Sequence, residues 1–405
     1  MKETQNILIL EHDQCVGCRA CELSCPKNCI TLTPNTEGFF YPLVDESVCI
    51  NCGVCKKHCP ILSHKDTNTD KQLSYAAWLK NEELLAQSSS GGAFTAFAEK
   101  ILEENGIVFG AAYDENLQVS QIYVNNKREL NRLKGSKYVV SSTGDSYIKV
   151  QEFLKTGKKV LYTGTPCQIA GLKAFLGKDF DNLYTIDLIC HGTPSQKLFD
   201  KYLLWLGKRF GGKIIYYGFR DKDIGGWSCG GKIKVKTKTK TKTIEASLDP
   251  YYSSFLKFDT YRESCYSCKF SSMNRIGDIT IGDYFEGKDF YPQLAGINGV
   301  SLCIVNTEKG KSLFDLVNQN LSFIPISEDS YVNVKGNLKK PSPRGKRRDF
   351  IYTGIDQLSE KKFFKKFSET HFVYLAMFRM KKIARLIIPV TIKRKIKKIL
   401  RQNNG

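Results

Sequence analysis

Two stretches of the chain set cysteines at fixed spacings: CVGCRACELSCP at residues 15–26 and CINCGVCKKHCP at residues 49–60. Both read C-x2-C-x2-C-x3-C-P, and each cysteine of the second run lies 34 positions after its counterpart in the first. Thiolates at this spacing hold [4Fe–4S] cubes: three wrap one cluster, and the fourth reaches across to the other. On that rule Cys15, Cys18, Cys21 and Cys59 hold one cluster, and Cys49, Cys52, Cys55 and Cys25 hold a second. Pro26 and Pro60 end each run and turn the chain away from the cube. Gly17, Ala20, Gly53 and Val54 are small enough to let backbone amides approach the sulfides. Zinc is the alternative, since it also takes four thiolates. Zinc ribbons, however, pair two C-x2-C knuckles across a longer loop. Cys29 falls outside both patterns and reads as a buried bystander.

Over residues 1–62 this segment resembles the bacterial two-cluster ferredoxins, which implies an α+β module that carries single electrons. Bulk composition agrees with a reduced, globular protein. The chain has 405 residues, 41% of them hydrophobic, and its 15 cysteines are clustered rather than scattered as in a secreted disulfide scaffold. The opening MKETQNILILEHD lacks the charged and apolar regions of a signal peptide, and no run of about 18 apolar residues predicts a membrane span. A cytoplasmic location is the expectation.

Other elements must position these cysteines and deliver their electrons. Residues 63–75, beginning SHKDTNTDKQLS, are polar and read as a linker. Beyond them, SSSGGAFTAFAEKILEENG predicts a serine-capped helix with an apolar face at Phe94, Phe97, Ala98, Ile101 and Leu102, followed by the buried-strand run IVFGAAY. KVLYTG, TPCQ and IAGLKAFLG make a strand, turn and helix; LYTIDLIC, HGTPS and QKLFDKYLLWLGKRF make another. This alternation predicts an α/β domain with a mainly parallel sheet, whose ligands sit beyond the carboxyl ends of the strands. KIKVKTKTKTKTIEAS alternates lysine with Val or Thr and predicts an exposed ribbon. SCYSCKF brings Cys265 and Cys268 into a knuckle, and RIGDITIGDYF is a strand with Asp278 and Asp283 at its ends.

Residues 76 to about 350 resemble the beta subunit of coenzyme F420-reducing hydrogenase and formate dehydrogenase. The matching stretches are SSSGGAFTA, LKGSKYVVSS, GTPCQIAGL, DLICHGTPS, CYSCKF, DITIGDYF and KKPSPRGKRRDF. After the ferredoxin domain (1–62), the resemblance gives N-terminal (76–155) and C-terminal (156–338) beta-subunit regions, and charge sets off a basic helical tail (339–405). The resemblance to the beta subunit also carries a cofactor expectation. It implies an α/β flavoprotein with FAD and at least one further [4Fe–4S] cluster. A flavin joins one-electron clusters to two-electron acceptors. No G-x-G-x-x-G follows a strand, so the flavin pyrophosphate is expected on Ser90, Gly91 and Gly92 at a helix N-terminus. Gly135, Ser136 and Lys137 would form a second loop, with Thr165 and Pro166 near the ring. Cys167, Cys190, Cys265 and Cys268 are candidates for a third cluster; otherwise Cys167 and Cys190 are small buried hydrophobes. His191 could act as the proton donor, or be a hydrogen-bonded structural histidine. Asp278 and Asp283 could contact the flavin or hold turns.

Charge is uneven. From Lys339 onward 20 Lys/Arg face 4 Asp/Glu, so this segment carries +16 of the total +20. After Pro389, Ile392, Ile396, Ile399 and Leu400 share one helical face, a pattern suited to peripheral contact with an anionic membrane or equally to a solubilising or RNA-sticky tail. The functional expectation is an iron–sulfur flavoprotein oxidoreductase. It would take electrons from a redox partner protein or reduced ferredoxin and pass them to a small-molecule acceptor, either F420-like or a polysaccharide-pathway substrate. The alternative is a non-enzymatic electron-transfer subunit of a larger complex. No specific nucleic acid is expected as a partner.

Overall fold

The computed structural model describes residues 6–63, 72–223, 226–227, 230–246, 249–369 and 380. In the N-terminal module an antiparallel hairpin, β1 (Ile30–Pro34) and β2 (Phe40–Val44), pairs Ile30 with Val44 and Pro34 with Phe40. Two one-turn helices, α1 (Ala20–Leu23) and α2 (Val54–Lys57), carry Cys21 and Cys55. The 34-residue repeat extends to the backbone. Gly17 and Asn51, and Arg19 and Gly53, occupy matching left-handed positions with φ between 54° and 73°. Those positive φ values curl each cysteine loop.

The body is built on one eight-stranded sheet. Its strands are β3 (Leu73–Leu79), β4 (Ile107–Tyr113), β5 (Val119–Val124), β6 (Val160–Gly164), β7 (Leu183–Leu188), β11 (Ile279–Asp283), β12 (Ser301–Val305) and β13 (Leu321–Pro325). Between β7 and β11, a separate three-stranded antiparallel sheet holds β8 (Lys213–Gly218), β9 (Lys232–Lys236) and β10 (Thr241–Glu245). The large sheet runs β13-β3-β12-β11-β7-β6-β4-β5. Only its centre, β11-β7-β6-β4, is parallel; the other four pairings are antiparallel. The sheet is therefore mixed, not mainly parallel as expected. A continuous apolar run signals burial on both faces but carries no information about strand direction.

Helices cover both faces: α3 (Glu82–Gln87), α4 (Ala93–Glu103), α5 (Ser146–Lys155), α6 (Pro166–Leu176) and α7 (Gln196–Phe210). On one face α4 and the helix Glu308–Leu316 bury Val108, Leu161 and Ile186. On the other, Ile107, Phe109, Val160 and Tyr162 pack with α5, α6 and the N-terminal module in one core that includes Ile7, Leu32 and Val44. The module thus packs into the body rather than standing apart from it. Of the expected linker, 64–71 lies outside the described residues, and Leu73–Tyr75 already belongs to β3.

The lysine ribbon forms as expected, with Ile233 and Val235 buried and Lys234 and Lys236 exposed. The expected tail begins too early. Helices at Arg348–Gln357 and 360–369 bury Ile351, Tyr352, Ile355, Phe363, Phe364 and Phe367 against the core of α7. Counting charge hid these apolar anchors. The amphipathic stretch after Pro389 lies outside the described residues. Among the described residues no helix is long and apolar enough to cross a membrane.

Candidate functional site

The two cysteine runs interlock across the module. Cys15, Cys18, Cys21 and Cys59 line one small cavity, walled by Ile7, Leu32, Pro42 and Ile61. Cys25, Cys49, Cys52 and Cys55 line a second, and Cys29 lines it with them. The fourth cysteine of each run crosses to the other quartet, the arrangement that the spacing rule requires. Four thiols around a cavity suit a cubane. Among the described residues no three His, Cys, Asp or Glu groups are placed to hold a single metal ion.

Burial pushes the Cys18 and Cys21 thiols far up, and neighbouring thiols add to the effect. The positive charge of an iron cluster would reverse that balance. Burial also acts on Cys25, but hydrogen bonds from the Cys29, Lys27 and Asn28 backbone and the Cys29 side chain outweigh it and lower its pKa.

A third group of cysteines gathers beneath the first cavity. Cys167 is the second residue of α6, behind Thr165 and Pro166; Thr165 forms a capping box with Gln168, and its Oγ1 lies 3.2 Å from the Cys167 Sγ. Cys190 follows β7. The backbone turns next at Gly192 (φ 143°), where any Cβ would lie 2.2 Å from the Tyr261 ring. Cys265 ends a short 3-10 turn, with Cys268 three residues on. The four thiols lie close enough to perturb one another. Burial first, then Cys265, Cys167 and Cys268, raise Cys190; burial and Cys268 raise Cys167 to about 11. Cys303 is buried in β12 and Cys229 lies outside the described residues.

Two contacts join this group to the first cavity. Gly171 on α6 lies so close to Cys18 that a Cβ there would stand 2.8 Å from the Cys18 Cβ and 3.1 Å from its Sγ. Arg262, just ahead of the Cys265 knuckle, reaches back into the module. Its Nε donates to the Cys15 carbonyl (2.6 Å) and its Nη2 to the Phe40 carbonyl (2.8 Å), with the guanidinium 4.1 Å from the Tyr41 ring centroid. A fully buried pair, Arg275 and Asp187 (2.8 Å), pins the loop that carries Cys268; Arg275 also donates to the Phe270, Ser272 and Leu188 carbonyls.

The expected cofactor loops meet, but not as an open anion cradle. Ser136 donates its amide to Ser89 Oγ (3.1 Å), which brings the two loops together. Gly91 is buried, and its amide donates to Ser301 Oγ (3.0 Å); Gly92, at φ 81°, packs on Leu79. The Ser90 hydroxyl donates to the Val300 carbonyl. Lys137 follows the open Gly135 turn, and its ammonium caps the Arg132, Leu133 and Lys134 carbonyls; burial pushes its pKa down to about 7. Thr165 and Pro166 belong to the third cysteine group. The serine-glycine run looked like a phosphate loop because glycine serves tight packing and anion binding equally well.

Beside these loops lies a cluster of cationic and aromatic side chains that no motif in the sequence marks. Arg220 pairs with Asp283 (2.7 Å) and donates to the Ser89 carbonyl; its Nε is buried with no partner among the described residues. Lys222 donates to the Leu85 and Ser90 carbonyls, and burial lowers its pKa to about 8. Trp227 stacks on Phe285 (4.5 Å) and donates to Asp283 (3.0 Å). His191 is solvent-exposed, and no hydrogen bond to its ring is found among the described residues, unlike a structural histidine. Partial desolvation of the ring and then the Lys335 ammonium lower its pKa, against the pull of Asp283. Asp278 accepts from Thr185 and Thr307 and holds turns. The arginine in GFRDKD, just past a strand, was the available signal for this cluster.

Family models match three parts of the chain. A 4Fe-4S dicluster domain covers residues 14–61; the N-term and C terminus of the coenzyme F420 hydrogenase/dehydrogenase beta subunit cover 74–148 and 157–329. The coenzyme F420-dependent sulfite reductase of Methanocaldococcus jannaschii is 27% identical over 49% of this chain and 31% of its own length. A subunit of the F(420)H(2) dehydrogenase of Methanosarcina mazei is 23% identical over 40% of this chain and 48% of its own. The chain thus spans less than half the length of both relatives. A chain of the F420-reducing [NiFe] hydrogenase complex from Methanosarcina barkeri superposes with TM-score 0.44 and 18% identity, over 67% of this chain and 88% of that one.

Proposed function

The chain belongs to the family of coenzyme F420 hydrogenase/dehydrogenase beta subunits and carries a 4Fe-4S dicluster domain at its N-terminus; from that premise we propose that it is an iron–sulfur oxidoreductase subunit. It passes electrons from a protein redox partner, through three cysteine quartets, to an anionic flavin- or deazaflavin-type group. Bound clusters supply one-electron steps, and a flavin such as FAD couples them to two-electron chemistry.

The residues of the chain do the rest. Cys15, Cys18, Cys21 and Cys59 and the crossed Cys49, Cys52, Cys55 and Cys25 would hold two clusters. Cys167, Cys190, Cys265 and Cys268 would hold the third. Arg220 and Lys222 would bind the anionic part of the acceptor, and Trp227 and Phe285 would support a planar ring. His191, exposed beside Asp283 and Lys335, would hold or release the proton. The cluster of Arg220, Lys222, Trp227 and Phe285 and the F420-related names of the relatives support a deazaflavin-type acceptor over a polysaccharide-pathway substrate. The observation that carries the reading is continuity: Gly171 touching Cys18, and Arg262 spanning from the Cys265 knuckle to Cys15.

Iron and flavin are to be counted on protein purified without oxygen. About 12 irons and one FAD per chain are expected, falling to about 8 irons in the Cys265→Ser, Cys268→Ser double variant. Eight irons in both proteins would confine clusters to the module and remove the third site. Three clusters without flavin would leave the chain as an electron carrier for a separate catalytic subunit.

A further inference from the structure

The two halves of the module are copies at the cysteines but not just beyond them. Three residues after Pro26 stands Cys29; three after Pro60, at the matching place in the repeat, stands Ser63. Cys29 is buried at 7% exposure, lines the second cavity, and sets its Sγ 3.4 Å from the Cys25 Sγ. Ser63 does something else: its hydroxyl donates to the Cys59 carbonyl (2.7 Å), away from the sulfur.

Resting on the reading that both quartets hold cubanes, we propose that Cys29 is a positioning residue for the second cluster. Its thiol donates an S–H hydrogen bond to the Cys25 ligand sulfur and makes that cluster the easier of the two to reduce. The direction of the bond follows from the chemistry. A cysteine bound to iron is a thiolate with no proton, so the proton of the pair resides on Cys29. A donor at a ligand sulfur draws off negative charge, which stabilises the reduced cluster and raises its potential. Cys59 receives no such donor from Ser63. The duplication therefore yields two unequal electron sites from one ligand pattern, and electrons settle on the cluster whose Cys52 ligand is exposed.

An EPR-monitored redox titration of the whole chain under anaerobic conditions tests this, with iron counted on every sample. Cys29→Ala is expected to keep its full iron content and to lower the midpoint of one cluster. Cys29→Ser, which retains a donor, is expected to recover part of that shift, and Ser63→Ala to shift neither midpoint. Unchanged midpoints in Cys29→Ala at full iron overturn the proposal alone. Loss of about four irons in Cys29→Ala also overturns it, since Cys29 would then be a ligand. A wild-type chain with fewer than two cubane signals overturns the premise and the proposal together.

Discussion

Replacing Arg262 with alanine should loosen the module from the body without unfolding either. Arg262 is 3% exposed, and its fork holds two carbonyls of the module, at Cys15 and Phe40, while its face covers Tyr41. Hydrogen bonds from a charged donor contribute about 1.5 kcal/mol each at the low end. The guanidinium–ring contact adds about 1 kcal/mol. Relief of the arginine's own desolvation offsets part of that sum. A net loss of about 3 kcal/mol follows, or roughly a 100-fold larger population of locally opened module. Hydrogen exchange read by mass spectrometry reports this directly. Peptides containing Cys15–Gly17 and Phe39–Tyr41 should exchange about 100-fold faster, while peptides from β6 and β7 keep the wild-type rate. Arg262→Lys, with a charge but no fork, should fall between. An acceleration below about threefold in the module peptides would refute the reasoning, because Arg262 would then be a bystander to docking.

Gly171→Ala should act on the first cluster through packing alone. Its new Cβ would meet the Cys18 Cβ and the Tyr147 hydroxyl at 2.8 Å, an overpacking that costs about 1–3 kcal/mol. Iron release to a chelator should speed up roughly tenfold; an unchanged rate would mean that α6 and the Cys18 loop are not in tight contact. Asp249 supplies a pH signature. It is buried among Tyr202, Tyr217, Tyr251 and Tyr252, and accepts from the Tyr217 hydroxyl and the Tyr252 amide. Burial still raises its pKa from 3.8 to about 6. The folded state therefore holds this proton more tightly than the unfolded chain does. Stability should fall as pH rises from about 4 to about 6, then stay level as far as this residue is concerned. Asp249→Asn should remove that slope from urea midpoints measured across the window, and a slope that persists would assign it to another group.

The eight ferredoxin cysteines were legible because iron ligation is local. Three ligands per cluster fall within seven residues, and the 34-residue repeat names the fourth. The helix Ala93–Glu103, with its apolar face at Phe97, Ala98, Ile101 and Leu102, was legible for the same reason. Strand direction was not, since β4, β6 and β12 are equally apolar and only their partners decide between parallel and antiparallel. The serine-glycine loop misled because Gly91 answers to Ser301, 210 residues away.

By itself, then, the sequence determined the chemistry that depends on neighbours along the chain: two crossed quartets, an alternating α/β body, a ribbon with lysines outward. Tertiary structure alone decided everything that depends on residues distant in sequence. It drew Cys167, Cys190 and the Cys265–Cys268 pair together, carried Arg262 across to Cys15, and turned 348–369 from charged tail into buried core. It also set Cys29 into the second cavity beside Cys49, Cys52 and Cys55, a neighbour that no spacing rule contains. The physical reason is the range of the forces. Metal ligation, capping and strand periodicity act over a few residues, whereas packing and buried charge pairing act between whatever surfaces the completed fold brings within about 4 Å.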